Sequence, residues 1–202
     1  MLKIQILCEN YTRKRDLLAE HGLSIWIETD DLNILFDTGQ TDVYSLNAKH
    51  MGIDISKADM LVLSHGHYDH TGGVPEFCRV NKKAPIYIHK KAFQKRYHYI
   101  ENENRREIGI PWIREELEKE KLLSDRFFEI EGTKNISENI TIAGDIPRIV
   151  HFENLPKDFY IDDGEENLTK DIIEDEQILI IKGQKGIYVF AGCSHPGVIN
   201  CV

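Results

Sequence analysis

The 202-residue sequence predicts a single α/β domain, and three observations carry that expectation. Its length suits one domain with an insertion. Its composition, 41% hydrophobic and 29% charged, is that of a globular chain. Strand signals alternate with turn signals along the first 64 residues, and helical patterns stand over Thr41–Met51 and Pro75–Asn81.

The elements follow in order. Leu2–Leu7 alternates and reads as a first strand. Ser24–Thr29 and Asn33–Phe36 flank Asp30-Asp31 and read as a hairpin. Thr41–Met51 carries a helical pattern that stops at Gly52. Met60-Leu61-Val62-Leu63 is apolar throughout, which suits a strand buried on both faces. Pro75–Asn81 is expected to be helical and Pro85–Ile88 a strand ending at His89. Residues 90–98 are expected to form a basic surface helix, Glu101–Arg106 a loop and Ile113–Leu122 a charged helix. Phe127–Ile130 and Asn139–Ala143 read as strands. Glu153–Glu176 is acidic and weakly patterned, and is expected to be a mobile loop. Gln177–Ile181 and Gly186–Phe190 close the chain as a hairpin that runs into Gly192-Cys193-Ser194-His195.

Charge and composition exclude several classes. Lys and Arg total 25 against 34 Asp and Glu, a net charge of −9. Phosphate neutralisation supplies most nucleic-acid affinity, so no nucleic-acid partner is expected. No apolar run approaches the roughly 20 residues of a membrane span, and no membrane partner is expected. The N-terminus is too short and alternating for a signal peptide, and Cys8, Cys78, Cys193 and Cys201 form no C-x-x-C pair. A reducing cytoplasm is the expected location.

The chemistry concentrates in His65, His67, Asp69 and His70, an H-x-H-x-D-H run directly after the apolar strand. Imidazole and carboxylate suit zinc, manganese and iron. Alternate residues of an extended turn can aim two imidazoles at one ion, and the next carboxylate and imidazole can reach a second ion about 3.5–4 Å away. Asp37, closing a strand in Asp37-Thr38-Gly39, is either a turn former or a carboxylate that orients a ligating His. Cys193 and His195 end another strand; each can ligate a metal, or Cys193 can be a small buried hydrophobe. Residues 77–100 hold no acid but seven cations, either a solvated face or a guide for an anionic substrate.

The sequence resembles the metallo-β-lactamase-fold metallohydrolases. Phe36-Asp37-Thr38-Gly39 and Leu63–Gly73, with their spacing, carry the resemblance. Within that superfamily it is similar to the branch of dihydropterin-ribofuranosylaminobenzene phosphate synthases, through Glu20–Ser24, Asn47-Ala48, Ile86–His89, Ile146-Pro147-Arg148 with Glu153, and Gly192–His195. The resemblance implies an αβ/βα four-layer sandwich spanning 1–202, with a helical and loop insertion over about 98–176. That branch continues beyond the last motif, so the resemblance also implies a C-terminally truncated member. It implies two divalent ions, zinc by preference, with His65 and His67 on the first and Asp69 and His70 on the second. His195 would be a third imidazole, and Cys193 stands near the place of a bridging Asp. His21, His89 and Arg148 are candidate substrate contacts, although His21 and His89 have structural readings too.

Three functions follow as expectations. The first is a metal-dependent hydrolase acting on an ester, amide or phosphoester of a small anionic substrate, with Asp69 orienting the nucleophile or taking its proton. The second is a condensing synthase of the branch type, in which Trp26 and Tyr68 would stack a pterin. The third is a catalytically silent module binding metal at His65, His67 and His195. An uncovered sheet edge would favour a homodimer.

Overall fold

The computed structural model describes residues 1–202 except 101–103, 113–115, 118–124, 154–156 and 163–167. A six-stranded sheet has the order β1 (Lys3–Cys8), β2 (Ser24–Glu28), β3 (Asn33–Phe36), β4 (Met60–Val62), β5 (Ile86–His89), β8 (Phe127–Ile130). β1 to β3 pair antiparallel, and β3, β4, β5 and β8 pair parallel. Parallel neighbours need crossovers, which here carry helices α1 (Val43–His50) and α3 (Val74–Val80). The short helix α2 (Tyr68–Thr71) precedes α3.

Side chains alternate across this sheet and build two cores. Trp26, Leu35, Leu61, Ile86 and Ile88 face the helices and pack with Tyr44, Ala48, Val74 and Phe77. Ile27, Ile34, Phe36, Met60 and Val62 face the other way and meet Ile140, Ile142, Leu179, Ile181 and Phe190. Those partners belong to a second, antiparallel sheet in the order β14 (Gly186–Phe190), β13 (Ile178–Gly183), β10 (Ile140–Ala143), β9 (Thr133–Asn135). Met60-Leu61-Val62 is buried on both faces, as its uniform apolarity requires. Buried Asn47 ties α1 to the edge: its Nδ2 donates to the carbonyls of Leu7 and Leu18 at 2.7 and 2.8 Å. No helix among the described residues is long and apolar enough to cross a membrane.

A third sheet has the order β12 (Leu168–Lys170), β11 (Phe159–Asp162), β6 (Arg96–Ile100), β7 (Asn104–Glu107). It corrects several expectations. The basic helix over 90–98 is a short 3-10 turn over Lys90–Phe93 followed by a strand. Alternation explains the strand: Arg96 points inward and is fully buried between Asp171 and Asp175, at 3.0 and 2.8 Å. The loop expected over 101–106 gives way to β7 from Asn104, paired with β6. The mobile loop over 153–176 contains β11 and β12, which are held by backbone pairing to β6 and to each other. The described regular elements of 98–176 are mostly strands joined by loops, and of these β8, β9 and β10 extend the two main sheets. The helix expected over 113–122 lies largely outside the described residues.

Candidate metal centre

The site sits where strands end. Asp37 follows β3, Ser64 to His70 follow β4, and Cys193 to His195 follow β14. Ligand sites in open α/β sheets favour the carboxyl ends of parallel strands, because loops there converge. Asp37 has φ 57°, a left-handed conformation that asparagine and aspartate tolerate best among non-glycine residues. Its Oδ1 accepts the Ser64 N–H at 2.6 Å, and its Oδ2 accepts the Ser64 hydroxyl at 2.7 Å and His70 Nδ1 at 2.6 Å. One fully buried carboxylate thus joins β3 to the histidine loop and turns His70 so that Nε2 faces the cluster.

Two groups of donors form. His65, His67 and His195 converge, as do His65, His70 and Cys193, each set with its ligand atoms within 4.8 Å of one another. His65 Nε2 and His67 Nδ1 are 3.0 Å apart, and His70 Nε2 lies 3.2 Å from Cys193 Sγ. Asp69 is buried at the rim of the second group, with Oδ2 at 3.5 Å from His70 Nε2 and 3.3 Å from His21 Nε2. Phe159 of β11 stands edge-on to His67 and His195, with ring centroids at 5.4 and 5.8 Å.

Electrostatics favour neutral imidazoles in the first group. Burial, reinforced by neighbouring imidazoles, holds His65 and His67 well below the usual histidine value and pushes His195 down to about 3. Burial also opposes a charge on His70, but the adjacent Asp37 carboxylate outweighs it and holds that ring well above the ordinary value. The donor set fits a divalent cation. His67 Nε2 and His195 Nε2 are buried with no protein hydrogen bond, and a buried lone pair without a partner is costly. Neutral nitrogens are the form in which histidine ligates.

The other expected residues have mixed positions. His21 is exposed but touches Asp69, and its Nδ1 meets Asn10 Oδ1 at 3.1 Å. His89, a candidate substrate contact, is fully buried, with Nδ1 accepting the Lys91 N–H at 3.2 Å and Nε2 at 3.3 Å from Asp145 Oδ1. Its imidazole is the acceptor that closes the 3-10 turn. Arg148 is likewise occupied: its guanidinium donates to the carbonyls of His195, Ile172 and Ile173, so it braces the His195 loop. Most cations of the basic run are engaged as well, Lys90 with Glu131, Lys91 with Glu174, Arg79 with Glu76 and Arg96 with its two aspartates. Trp26 is buried in the helix-side core and offers no stacking face. Asp175 and Glu176, which contact both ligand loops, are absent from the sequence-based candidates. Their signal is two carboxylates directly before the apolar strand Ile178–Ile181, hidden in an acidic stretch.

The strand ends of this sandwich gather a cluster of buried imidazoles beside one thiol. The profile of the metallo-beta-lactamase superfamily matches residues 18–174, and the chain belongs to that superfamily of metal-dependent hydrolases. It is 36% identical over 203 residues to an uncharacterized protein of Methanocaldococcus jannaschii, covering 98% of this chain and 72% of that one. It is 30% identical over 212 residues to the same organism's 7,8-dihydropterin-6-methyl-4-(beta-D-ribofuranosyl)-aminobenzene-5'-phosphate synthase, covering 100% of this chain and 70% of that one. A crystal structure described as a metal-dependent hydrolase of the beta-lactamase superfamily superposes with a TM-score of 0.78 at 29% identity, covering 99% of this chain and 69% of the other.

Proposed function

We propose that the protein is a metal-dependent hydrolase of small esters, amides or phosphoesters. The observation that carries the reading is the convergence of His65, His67 and His195, two of them with an orphaned buried Nε2. His65, His67 and His195 would hold one divalent cation, zinc by preference, and His70, Cys193 and Asp69 would hold a second. A bound cation supplies Lewis acidity, bringing the pKa of water to about 7 and polarising the bond under attack.

The chain's own groups do the rest. Asp37 fixes the His70 ring through Nδ1, leaving Nε2 as the inward atom. Asp69 Oδ2 is placed to orient the nucleophile and take its proton. Its contact with His21 Nε2 gives that proton a path outward, since the His21 side chain is 63% exposed. Phe159 closes the side of the cluster over His67 and His195 and excludes water there. Arg106, exposed and stacked at 4.9 Å over the ring of Tyr68, the residue before Asp69, would offer a cation to an anionic substrate group.

The test is a panel of chromogenic esters, phosphodiesters and amides assayed with Zn(II) or Mn(II), using the unmodified chain and Asp69→Asn. Metal-dependent turnover that falls at least about 100-fold in Asp69→Asn is expected for loss of a general base. Equal turnover in both overturns the assignment of Asp69. The similarity to a synthase, over the whole of this chain and 70% of that protein, supports a second reading, a condensing reaction. Pterin binding without hydrolysis of any panel member would favour it.

A further inference from the structure

Three consecutive residues outside both ligand loops grip those loops at once. Asp175, Glu176 and Gln177, directly before β13, are all buried. The Gln177 N–H donates to the Ser64 carbonyl and its Nε2 to the Leu63 carbonyl, each at 2.8 Å. Asp175 Oδ2 accepts the Gly66 N–H at 2.7 Å. Glu176 spends both oxygens on the other loop: Oε1 accepts the Ser194 N–H at 2.7 Å and Oε2 the His195 N–H at 2.9 Å. Successive side chains of a chain entering a strand point to opposite sides. Residues 175 and 177 therefore reach Leu63–Gly66 while residue 176 reaches Ser194–His195.

We propose that Asp175-Glu176-Gln177 is the positioning clasp of the metal centre, with Glu176 setting His195 against the His65–His67 pair. This rests on the reading that the imidazole cluster holds a divalent cation. Several features argue for position over chemistry. Glu176 is buried and each of its oxygens accepts a backbone N–H of the Ser194–His195 loop, so the side chain faces that loop and not a substrate. The loop it holds is not self-supporting: Ser194 has φ 55°, a left-handed conformation that a non-glycine residue keeps only when its surroundings impose it. Two short hydrogen bonds from consecutive amides to one side chain hold it there. Asp175 is itself ion-paired, with Oδ1 at 2.8 Å from the Arg96 guanidinium, whose hydrogen bonds go to Asp171 and to the Lys91 carbonyl. The third sheet is thereby tied to the histidine loop through Arg96 and Asp175. The ligand donors lie on two loops more than a hundred residues apart in sequence, and the described segment 175–177 contacts both.

The experiment titrates Co(II) into the metal-free full chain, reading affinity, the visible absorption bands and the thermal unfolding of the metal-free protein. Glu176→Gln keeps the shape but turns one acceptor into a donor facing a backbone N–H. Leu179→Ala, in the strand that follows and in the core between the sheets, is the control for general destabilisation. Glu176→Gln is expected to bind Co(II) about 10–100-fold more weakly with a changed visible spectrum. Leu179→Ala is expected to melt earlier yet bind with the unmodified spectrum. Equal affinity and spectrum in Glu176→Gln, or a loss no greater than in Leu179→Ala, overturns the clasp and leaves the metal reading standing. No Co(II) uptake by the unmodified chain overturns both. If Glu176→Gln does not fold, Asp175→Asn decides by the same readouts, since it disturbs the grip on Gly66: weakened Co(II) binding supports the clasp and unchanged binding overturns it.

Discussion

Replacing Gly66 by alanine places a methyl group where the backbone leaves no room. A Cβ there would lie 2.2 Å from the Ala92 carbonyl oxygen and 2.8 and 2.9 Å from that residue's other backbone atoms. Ordinary contact begins near 3.4 Å, so the histidine loop and the turn over Lys90–Phe93 must part by about 1.2 Å. The neighbour is backbone, which cannot rotate away as a side-chain tip can. Overpacking of this kind costs about 1–3 kcal/mol. Gly66 lies between His65 and His67, so the displacement falls on two of the candidate ligands, and a shift of about 1 Å at a reacting centre can cost about 100-fold in rate. Gly52→Ala is the matched control. Its Cβ would meet nothing within 4 Å, and only its φ of 75° resists substitution, at about 1–2 kcal/mol. Denaturant unfolding and Zn(II) competition against a chelating dye would read both variants. Gly66→Ala should lose stability and bind metal at least about 10-fold more weakly, whereas Gly52→Ala should lose stability alone. Unmodified metal affinity in a folded Gly66→Ala would refute the reasoning.

Other substitutions separate the site from the scaffold. Asp37→Asn puts an amide donor against Ser64 or His70 and is expected to cost about 1–3 kcal/mol and to weaken metal binding about 10–100-fold; calorimetry and dialysis would check this. Asn47→Ala strips three hydrogen bonds from the junction of Leu7, Leu18 and α1 and should lower stability by about 1–3 kcal/mol, with metal content unchanged by elemental analysis. Cys193 is the exposed thiol, while burial pushes Cys8 up to about 12 and Cys78 and Cys201 up to about 11. A thiol reagent at pH 8 should therefore modify Cys193 first, as mapped by mass spectrometry, and Zn(II) should slow that reaction if Cys193 is a ligand.

Local pattern made much of the frame legible. Met60-Leu61-Val62 is uniformly apolar because both faces are covered, and the Asp30-Asp31 turn marks the β2–β3 hairpin. The histidine run and Asp37, which the structure joins by a hydrogen bond, stand out in the sequence because strand ends gather short polar motifs. What escaped the sequence depends on distant partners. Arg96 looks like a surface cation until Asp171 and Asp175 arrive some 75 residues later to neutralise it. The aromatic run Tyr97–Tyr99 then makes a strand, where its basic flanks had suggested a helix. His89 and Arg148 carry polar tips that sequence assigns to substrate, yet turn and loop carbonyl or amide groups take them. Asp175 and Glu176 sit in an acidic stretch whose composition mimics a loop, and their role exists only through the two loops they join.

The central claim is that His65, His67 and His195 hold a divalent cation. Elemental analysis of the purified chain, set beside a folded His67→Ala/His195→Ala double variant, tests it most directly. The account predicts at least one zinc, manganese or iron ion per unmodified chain and its loss from the double variant. A folded, unmodified chain that takes up no divalent metal from a replete buffer, or a double variant with unchanged metal content, would contradict it.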